Sequence, residues 1–555
     1  MLLLRAGALA AMAAAMMLAQ STSGYPVAGA LVNALTGEPV AGAEVELEPE
    51  GQSDGQSPLA AKADDRGRFA FYAIPAGRYR LMAWRRGYSR QALDEHSGWS
   101  TAVVTGAKLD TTHIVFRMKP EASIRTRVLD EDGELVRSAQ VYLFEKQIRE
   151  GRSETQMVRA QGTENRGITR FSNLEPGTYF LAVSARPWYA QVPMQGPIIR
   201  RGRPPSDSAA EDTPPAPTAP SPFDVAYPLT WYGGATDFAS ATPIRLEPGQ
   251  TLAADVNLQP VQAIQIRIDN PPSARREGHF AQVMVDGPDG TAIPMNAAGQ
   301  DGGRGYVLLQ GLPPGHYQVE YLEFASSDKT QRRRHLSVDA MSNTRVPADA
   351  APTIQMDGKV EPDQPIAERS ITIGLREWPN GRSQNLSGQL APDGTLSFVG
   401  ISIERNRQYE LYVAAPAGLL LTSVAAEGAK VSGRVITTGD SDVHLKLSVA
   451  HGKLGAVDGF VLRNDEGLPG VAVYLVPQDP TARATATVRD QSNTDGSFTM
   501  ADVVPGSYYA IAIENGFDLM YANPEAVNPY LAAAQKVKVG VGENLELKIG
   551  VQPLR

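Results

Sequence analysis

Apolar and polar residues alternate with a period of two through much of this sequence, in short runs that are separated by turns. In GRYRLMAW (residues 77–84) the tyrosine, leucine and alanine alternate with two arginines and a methionine. This is the pattern of a strand with one buried face. A Pro-x-Gly turn precedes the run, and a second alternating run, RFAFY, precedes the turn. The pattern predicts a strand-turn-strand unit in which Tyr79 faces a core.

The same unit returns along the chain, and a tyrosine marks each copy. The fourth copy keeps the tyrosine but has lost the Pro-Gly turn. Successive marks are 100, 138, 92 and 99 residues apart: Tyr79, Tyr179, Tyr317, Tyr409 and Tyr508. The longest spacing contains residues 196–222, which are rich in Pro, Ser and Ala and have no hydrophobic periodicity. We expect this Pro-rich segment to be a disordered loop within one repeat.

Each tyrosine unit is preceded by a pair of alternating segments and followed by a Gly-led strand. About seven short strands in about 100 residues are typical of a small Greek-key β-sandwich. The chain is therefore predicted to be all-β, a tandem array of about five small Greek-key β-sandwich domains. Their predicted bounds are 24–119 (domain 1), 120–259 (domain 2), 260–349 (domain 3), 350–450 (domain 4, a degenerate copy) and 451–555 (domain 5). One short helix is expected at 523–535, opened by Asn523 and Pro524.

The first 23 residues have the features of an export signal. Arg5 is followed by an apolar stretch from Ala6 to Ala19 and then by small residues. This stretch is shorter than the roughly 20 residues that a membrane-spanning helix needs, so we expect no integral membrane segment after cleavage. The mature protein is expected in the periplasm, at the cell surface or outside the cell.

The amino-acid composition limits the classes of partner that the protein can bind and the ways in which its domains can be stabilised. The net charge of −9 at pH 7 argues against a nucleic-acid partner, which would need a basic face. The chain has no cysteine, so its domains must be stable without disulfides. A hydrophobic fraction of 42% is that of ordinary globular domains.

Two passages near the N-terminus resemble a known domain family. VAGALVNALTGEPVAGAEVEL (27–47) and DDRGRFAFYAIPAGRYRLMAWRRGY (64–88) are similar to the carboxypeptidase regulatory-like domain, a sandwich related to transthyretin and to collagen-adhesin B-type domains. The whole mature chain resembles bacterial exported proteins built of several such domains. The resemblance implies a carbohydrate-binding-like fold. It implies no single function, because such domains accompany peptidases, outer-membrane receptors and other envelope proteins.

No catalytic constellation is apparent in the sequence. A zinc carboxypeptidase would need a His-x-x-Glu pair and a third ligand, and none of the seven histidines has a glutamate three residues on. There is no cysteine nucleophile. The acidic run DEDGE (130–134) lacks the other ligands of a calcium loop and is predicted to be a turn. We expect no enzyme activity, no bound metal and no cofactor.

Two pairs of adjacent aromatic residues stand on either side of the Pro-rich segment. Adjacent side chains of a strand point to opposite faces, so one member of each pair must face outward. An outward tryptophan can stack on a sugar or a partner protein, or it can be covered by a neighbouring domain. The candidate ligand-binding residues are therefore Trp188, Tyr189, Trp231 and Tyr232.

Three functions of different classes are compatible with these observations. The first is a non-catalytic secreted or envelope-associated protein that binds a glycan or protein partner, such as a polysaccharide or an envelope protein. The second is a passive spacer or stalk, for which an elongated arrangement without a ligand is expected. The third is the accessory part of an exported, carboxypeptidase-like hydrolase. We favour the first.

Overall fold

Short strands joined by tight turns make up most of the chain in a computed structural model, and the predicted tandem of β-sandwich domains is confirmed. The predicted export signal (1–23) lies outside the described residues. The same is true of the Pro-rich segment (196–222) except for Pro222. The structure describes residues 24–50, 57–163, 166–190, 222–270, 278–300, 305–324, 331–347, 353–363, 372–378, 386–398, 403–414 and 419–555.

Domain 1 consists of two sheets packed face to face. Its strands are β1 (Tyr25–Asn33), β2 (Glu44–Pro49), β3 (Leu59–Lys62), β4 (Arg68–Ile74), β5 (Gly77–Arg85), β6 (Tyr88–Ala92), β7 (Val103–Thr105) and β8 (Ile114–Met118). One sheet has the order β4-β1-β8 and the other β3-β2-β5-β6, with β7 also paired to β5. The predicted alternation in β5 is confirmed: Tyr79, Leu81 and Ala83 are buried between the sheets, and the residues between them are partly exposed.

Domains 2 and 3 repeat the two-sheet arrangement. The strands of domain 2 are β9 (Ala122–Leu129), β10 (Gln140–Arg149), β11 (Arg152–Gly162), β12 (Ile168–Leu174), β13 (Gly177–Ser184), β14 (Val225–Ala226), β15 (Thr230–Trp231), β16 (Ile244–Leu246), β17 (Thr251–Ala253) and β18 (Val256–Asn257), with a 3-10 helix at Phe238–Ser240. The strands of domain 3 are β19 (Val261–Gln262), β20 (Ile264–Asp269), β21 (Gly278–Asp286), β22 (Ala292–Gln300), β23 (Tyr306–Leu312), β24 (Gly315–Phe324), β25 (Gln331–Ala340) and β26 (Thr344–Pro347), with a 3-10 helix at Pro288–Gly290. In domain 2 the sheets have the orders β12-β9-β17 and β11-β10-β13-β15, and in domain 3 they have the orders β23-β20-β26 and β22-β21-β24-β25.

One hydrophobic core joins domains 2 and 3. In β10, Val141 and Leu143 point into the core of domain 2, whereas Tyr142 and Phe144 point into a core built mostly by domain 3. A strand that is buried on both faces lies between two packed layers. Domain 3 therefore covers the outer face of the β10–β13 sheet.

Domain 4 departs from the two-sheet pattern. Its strands are β27 (Thr353–Ile354), β28 (Met356–Pro362), β29 (Thr372–Glu377), β30 (Leu386–Leu390), β31 (Thr395–Ser397), β32 (Ile403–Glu404), β33 (Gln408–Ala414), β34 (Leu419–Glu427), β35 (Ala429–Ser432), β36 (Val435–Thr438) and β37 (Val443–His451). Nine of these described strands form one continuous sheet around a single core, in the order β34-β37-β28-β31-β30-β29-β33-β36-β35.

Domain 5 adds helical segments to the sandwich. The start of the predicted helix is confirmed, because the Asn523 side chain accepts the N–H of Glu525 at 2.9 Å, but this helix ends at Leu531 rather than at 535. The strands are β38 (Gly455–Arg463), β39 (Glu466–Gly467), β40 (Ala472–Pro477), β41 (Val488–Gln491), β42 (Ser497–Val503), β43 (Gly506–Ile513), β44 (Gln535–Val539) and β45 (Asn544–Gln552). The helices are a 3-10 helix at Pro480–Ala482, α1 (Arg483–Ala486) and α2 (Pro524–Leu531).

The tyrosine that marks each repeat is buried, and its hydroxyl is bonded to nearby backbone. In four repeats the hydroxyl donates to the carbonyl four residues upstream: Tyr79 to Pro75, Tyr179 to Glu175, Tyr317 to Pro313 and Tyr508 to Val504. In the fourth repeat, Tyr409 instead accepts the N–H of Glu404 at 3.0 Å. These tyrosines fix the corner between two strands, which is a structural role.

A long hairpin ties domain 2 to domains 4 and 5. Its tip, Glu150-Gly151, has positive φ at both residues, as a two-residue type I′ turn requires. Arg152 donates to the buried carboxylate of Glu410 in domain 4 at 3.1 Å, and the Gly151 carbonyl accepts the N–H of Ala522 in domain 5 at 3.2 Å. Because Glu410 is fully buried, its charge is compensated by Arg152 and by Arg376, whose Nε lies 3.7 Å from the same carboxylate.

Domain 5 also docks on domain 1, although the two are separated by more than 300 residues of chain. The Thr494 N–H donates to the Ala102 carbonyl at 3.0 Å, and the Val104 N–H donates to the Thr494 hydroxyl at 2.9 Å. The buried Gln491 amide donates to the Asp94 carbonyl at 2.8 Å and to the Thr101 hydroxyl at 2.9 Å. Backbone groups of domain 1 are thus satisfied by domain 5, as buried polar groups require.

A carboxyl group lies at the same contact. Asp490 accepts the backbone N–H groups of Gln491 and Thr499, both at 2.8 Å, while Arg78 of domain 1 donates to the Thr499 hydroxyl at 2.6 Å. Burial raises the pKa of Asp490 to about 6, and the neighbouring carboxylate of Glu50 adds to the effect. The folded protein therefore holds a proton here at a pH where the unfolded chain has released it.

We predict that this proton makes the contact more stable in mild acid. The folded state binds the extra proton between about pH 4 and about pH 6, so the free energy of unfolding contributed by Asp490 falls by about 2 kcal/mol as the pH rises from 4 to 7. Urea unfolding of the wild type and of Asp490→Asn across this range measures it, because the asparagine cannot titrate. Profiles that remain parallel would contradict the assignment.

Candidate functional site

The structure separates the four aromatic residues that the sequence grouped. As the period of two predicts, Trp231 and Tyr232 point to opposite faces: Tyr232 packs against the core of domain 2, and Trp231 points away from it. Trp188 and Tyr189 lie in the loop after β13, with their rings edge-to-face at 5.7 Å between centroids.

The expectation that Trp231 faces a ligand is wrong. Its side chain is only 1% exposed and lies in the core shared by domains 2 and 3, with ring centroids 5.2 Å from those of both Phe144 and Phe238. The physical reason is the neighbouring domain, which covers the outer face of the sheet. Tyr232 is partly buried and packs against the core of domain 2.

Trp188 has the opposite environment. Its side chain is 88% exposed, the highest value among the large apolar residues that the structure describes. Beside it, the hydroxyls of Tyr189 and Tyr227 both donate to the carboxylate of Glu131, the latter at 2.6 Å. Glu131 belongs to the predicted acidic turn, where Asp130 accepts the N–H groups of residues 132 and 134 at 3.1 and 2.7 Å. We call Trp188, Tyr189, Tyr227 and Glu131 the aromatic surface.

Hydrogen bonding sets the charges of the aromatic surface. Burial alone would raise the pKa of Glu131, but the hydroxyls of Tyr189 and Tyr227 outweigh it and lower that pKa. Burial and Glu131 raise the pKa of Tyr189 to about 12, and they raise the pKa of Tyr227 further. At neutral pH the surface therefore offers one carboxylate, held by two protonated hydroxyls, and an exposed indole that lies against the ring of Tyr189.

A second candidate location is a polar cleft where domains 1, 2 and 5 meet, with a volume of about 250 Å³. Domain 1 contributes His96 and Lys119, domain 2 contributes Glu175, and domain 5 contributes Phe517 and Asp518. We call this space the three-domain cleft. No sequence pattern pointed to it, because its residues come from loops that are far apart in the chain and have no local motif.

His96 and Phe517 connect two walls of the three-domain cleft. Their rings are stacked at 3.7 Å between centroids and 3° between planes. The Nδ1 of His96 lies 2.7 Å from the Asp94 carbonyl, which can only accept, so Nδ1 carries the hydrogen and Nε2 is left as an acceptor in the neutral ring. Burial and the nearby Lys119 lower the pKa of His96, which favours this neutral form.

Lys119 and Glu95 line the domain 1 side of the cleft. The Lys119 ammonium donates to the backbone carbonyl of Glu95 at 2.9 Å rather than to a carboxylate. One carboxylate oxygen of Glu95 accepts the N–H of Ala92 at 2.7 Å. The lining thus carries one cation and three carboxylates, those of Glu95, Glu175 and Asp518, around a neutral histidine.

Within the described residues, no group of three or more His, Cys, Asp or Glu side chains could hold a metal ion. No helix in that part of the chain is long and apolar enough to cross a membrane.

Domain 1 is similar to a known domain family. Residues 22–118 match the model of the carboxypeptidase regulatory-like domain. The chain carries this domain. The resemblance seen in the first two sequence passages is thereby confirmed for the N-terminal sandwich. No curated protein matches the chain.

Solved structures with similar elements have low identity to this chain. The Bacillus anthracis TIE protein is 10% identical with a TM-score of 0.16, over 92% of this chain and 68% of its own. GBS52, the minor pilin of Streptococcus agalactiae, is 14% identical with a TM-score of 0.20, over 43% of this chain and 96% of its own. BcpA, the major pilin subunit of Bacillus cereus, is 9% identical with a TM-score of 0.14, over 78% and 99%.

The buried position of Trp231 predicts a large effect on stability. Trp231→Ala should lower the free energy of unfolding by about 3–5 kcal/mol, because it leaves a cavity in the shared core. Urea denaturation measures this, with Tyr72→Ala as the control, since Tyr72 is also a large aromatic but is 79% exposed. The control should change stability by less than about 1 kcal/mol. A Trp231 variant as stable as the control would contradict the buried placement.

Proposed function

We propose that the chain is an exported, non-catalytic protein that binds a glycan on the aromatic surface. The observation that carries the proposal is the exposure of Trp188, whose ring lies edge-to-face with Tyr189, a residue hydrogen-bonded to the carboxylate of Glu131. Tryptophan is normally buried to a large extent, and leaving an indole in water forgoes the free energy of burying it. A flat apolar ring in this position gains that burial when a ligand covers it.

The chemistry of the aromatic surface suits a sugar ring. The C–H face of a sugar packs on an indole, and the hydroxyls at its edge can donate to a carboxylate. Glu131 is ionised and held in place by Tyr189 and Tyr227, so little conformational entropy is lost when it accepts a further hydrogen bond. Tyr232 and Trp231, which pack in cores, are not part of the proposed site.

The alternatives from the sequence have less support. A passive spacer should keep its terminal domains apart, whereas Thr494 and Gln491 of domain 5 bond directly to domain 1. An accessory role beside a hydrolase has no specific observation in its favour. A protein partner on the same indole is the second candidate, since Trp188 is a typical anchor for an interface.

Export is part of the proposal and rests on the sequence of residues 1–23. The absence of cysteine throughout the chain is compatible with a location in the periplasm, at the cell surface or outside the cell. The domain bounds predicted from the tyrosine repeats are likewise retained as proposals.

Replacing the exposed indole tests the binding site. We predict that Trp188→Ala weakens glycan binding by about 1–3 kcal/mol, about 5-fold to 150-fold in Kd, and leaves the free energy of unfolding within about 0.5 kcal/mol of wild type. Affinity electrophoresis of the mature protein in gels that contain purified envelope polysaccharides measures binding, and urea unfolding measures stability.

Tyr72→Ala is the matched control, because it removes another exposed aromatic side chain from a different domain. It should migrate like the wild type in every gel. If Trp188→Ala is retarded as strongly as the wild type, or if no polysaccharide retards the wild type, the glycan-binding proposal is wrong. Capture of a protein that depends on Trp188 would favour the second candidate.

A further inference from the structure

The three-domain cleft has no part in the proposed function of the aromatic surface, yet it has the form of a ligand site. Cavities of about 150 Å³ accommodate a molecule as large as benzene, so a volume of about 250 Å³ is sufficient for one six-membered ring with substituents. Residues from three domains converge on it, as is common for small-molecule sites at domain junctions.

The lining of the cleft favours a ligand that is polar and cationic. The carboxylates of Glu175 and Asp518 come from different domains, and both residues are exposed to the same space. The one cation, Lys119, is bonded to a backbone carbonyl and not to either of them. With His96 neutral, three carboxylates against one ammonium leave a net charge of −2 on the walls.

The cleft also offers partners for hydroxyl groups. The Nε2 of His96 is an acceptor, and the Lys119 ammonium has hydrogens beyond the one it gives to Glu95. Phe517, stacked on the imidazole, adds an apolar wall at the junction. The combination of carboxylates, a neutral acceptor, a donor and an aromatic ring corresponds to a hydroxylated ring that bears a protonated amine.

We propose that the three-domain cleft binds a small hydroxylated ligand with a protonated amine, of the chemical class of the free amino sugars. The amine interacts with Glu175 and Asp518, and the hydroxyls interact with His96 and Lys119. Because these residues belong to three domains, an occupied cleft stabilises the docking of domain 5 on domains 1 and 2 by mass action.

The contribution of the amine to binding can be measured with two sugars that differ only in that group. Glucosamine and glucose differ in one substituent of the same ring, so their difference in affinity reports on the charged group. At pH 6.5 an amine of this kind carries its proton. Titration calorimetry on the full mature chain should give a Kd for glucosamine at least about 10-fold lower than for glucose, since a hydrogen bond to a charged group is worth that much.

Conservative variants test the assigned residues. Glu175→Gln combined with Asp518→Asn keeps the size of both exposed side chains and should raise the Kd for glucosamine by about 10-fold or more, leaving the weak binding of glucose unchanged. Trp188→Ala should leave the Kd for glucosamine unchanged, which distinguishes this site from the aromatic surface. Thermal unfolding of each variant without ligand confirms that it is folded.

Three results would overturn the proposal. They are equal Kd values for glucosamine and glucose, no detectable binding of glucosamine, and a folded double variant that binds glucosamine as tightly as the wild type. None of them bears on glycan binding at Trp188, because that is measured with polysaccharides and a different variant.

Discussion

The direct contact between domain 5 and domain 1 is the interaction on which the three-domain cleft depends. Thr494 makes two hydrogen bonds across it: its N–H donates to the Ala102 carbonyl, and its hydroxyl accepts the N–H of Val104. This contact brings Phe517 onto His96 and thereby closes one side of the three-domain cleft. Without it, the residues that line the cleft would belong to separate domains of an ordinary tandem array.

Domain 2 holds the remaining domains around this contact. Its β10–β11 hairpin reaches domain 4 through Arg152 and Glu410 and reaches domain 5 through Gly151. Its outer sheet face is sealed by domain 3 in a common core. The aromatic surface at Trp188 and the three-domain cleft beside Glu175 therefore both involve domain 2, the domain that contacts all the others.

The features that could be predicted from the sequence are those that depend on residues close together in the chain. The period of two fixed the buried face of β5, the repeated tyrosine marked a bonded strand corner in every copy, and Asn523 and Pro524 marked the start of a helix. It could not tell whether an outward side chain would be covered, because that depends on how domains pack. Trp231 and Trp188 have similar sequence contexts, each followed by a tyrosine, yet Trp231 is buried in a core and Trp188 is exposed to solvent. The three-domain cleft could not be predicted either, because it too depends on how the domains pack.

The absence of native cysteine allows the domain contact to be tested directly. Val104→Cys with Thr494→Cys places the only two thiols on residues that are in contact across this interface, where the Val104 N–H lies 2.9 Å from the Thr494 hydroxyl. Under mild oxidation this protein should lose both free thiols within a monomer, whereas each single variant keeps its thiol. If both thiols of the folded double variant remain free, domain 5 does not dock on domain 1 and the account of the cleft is wrong.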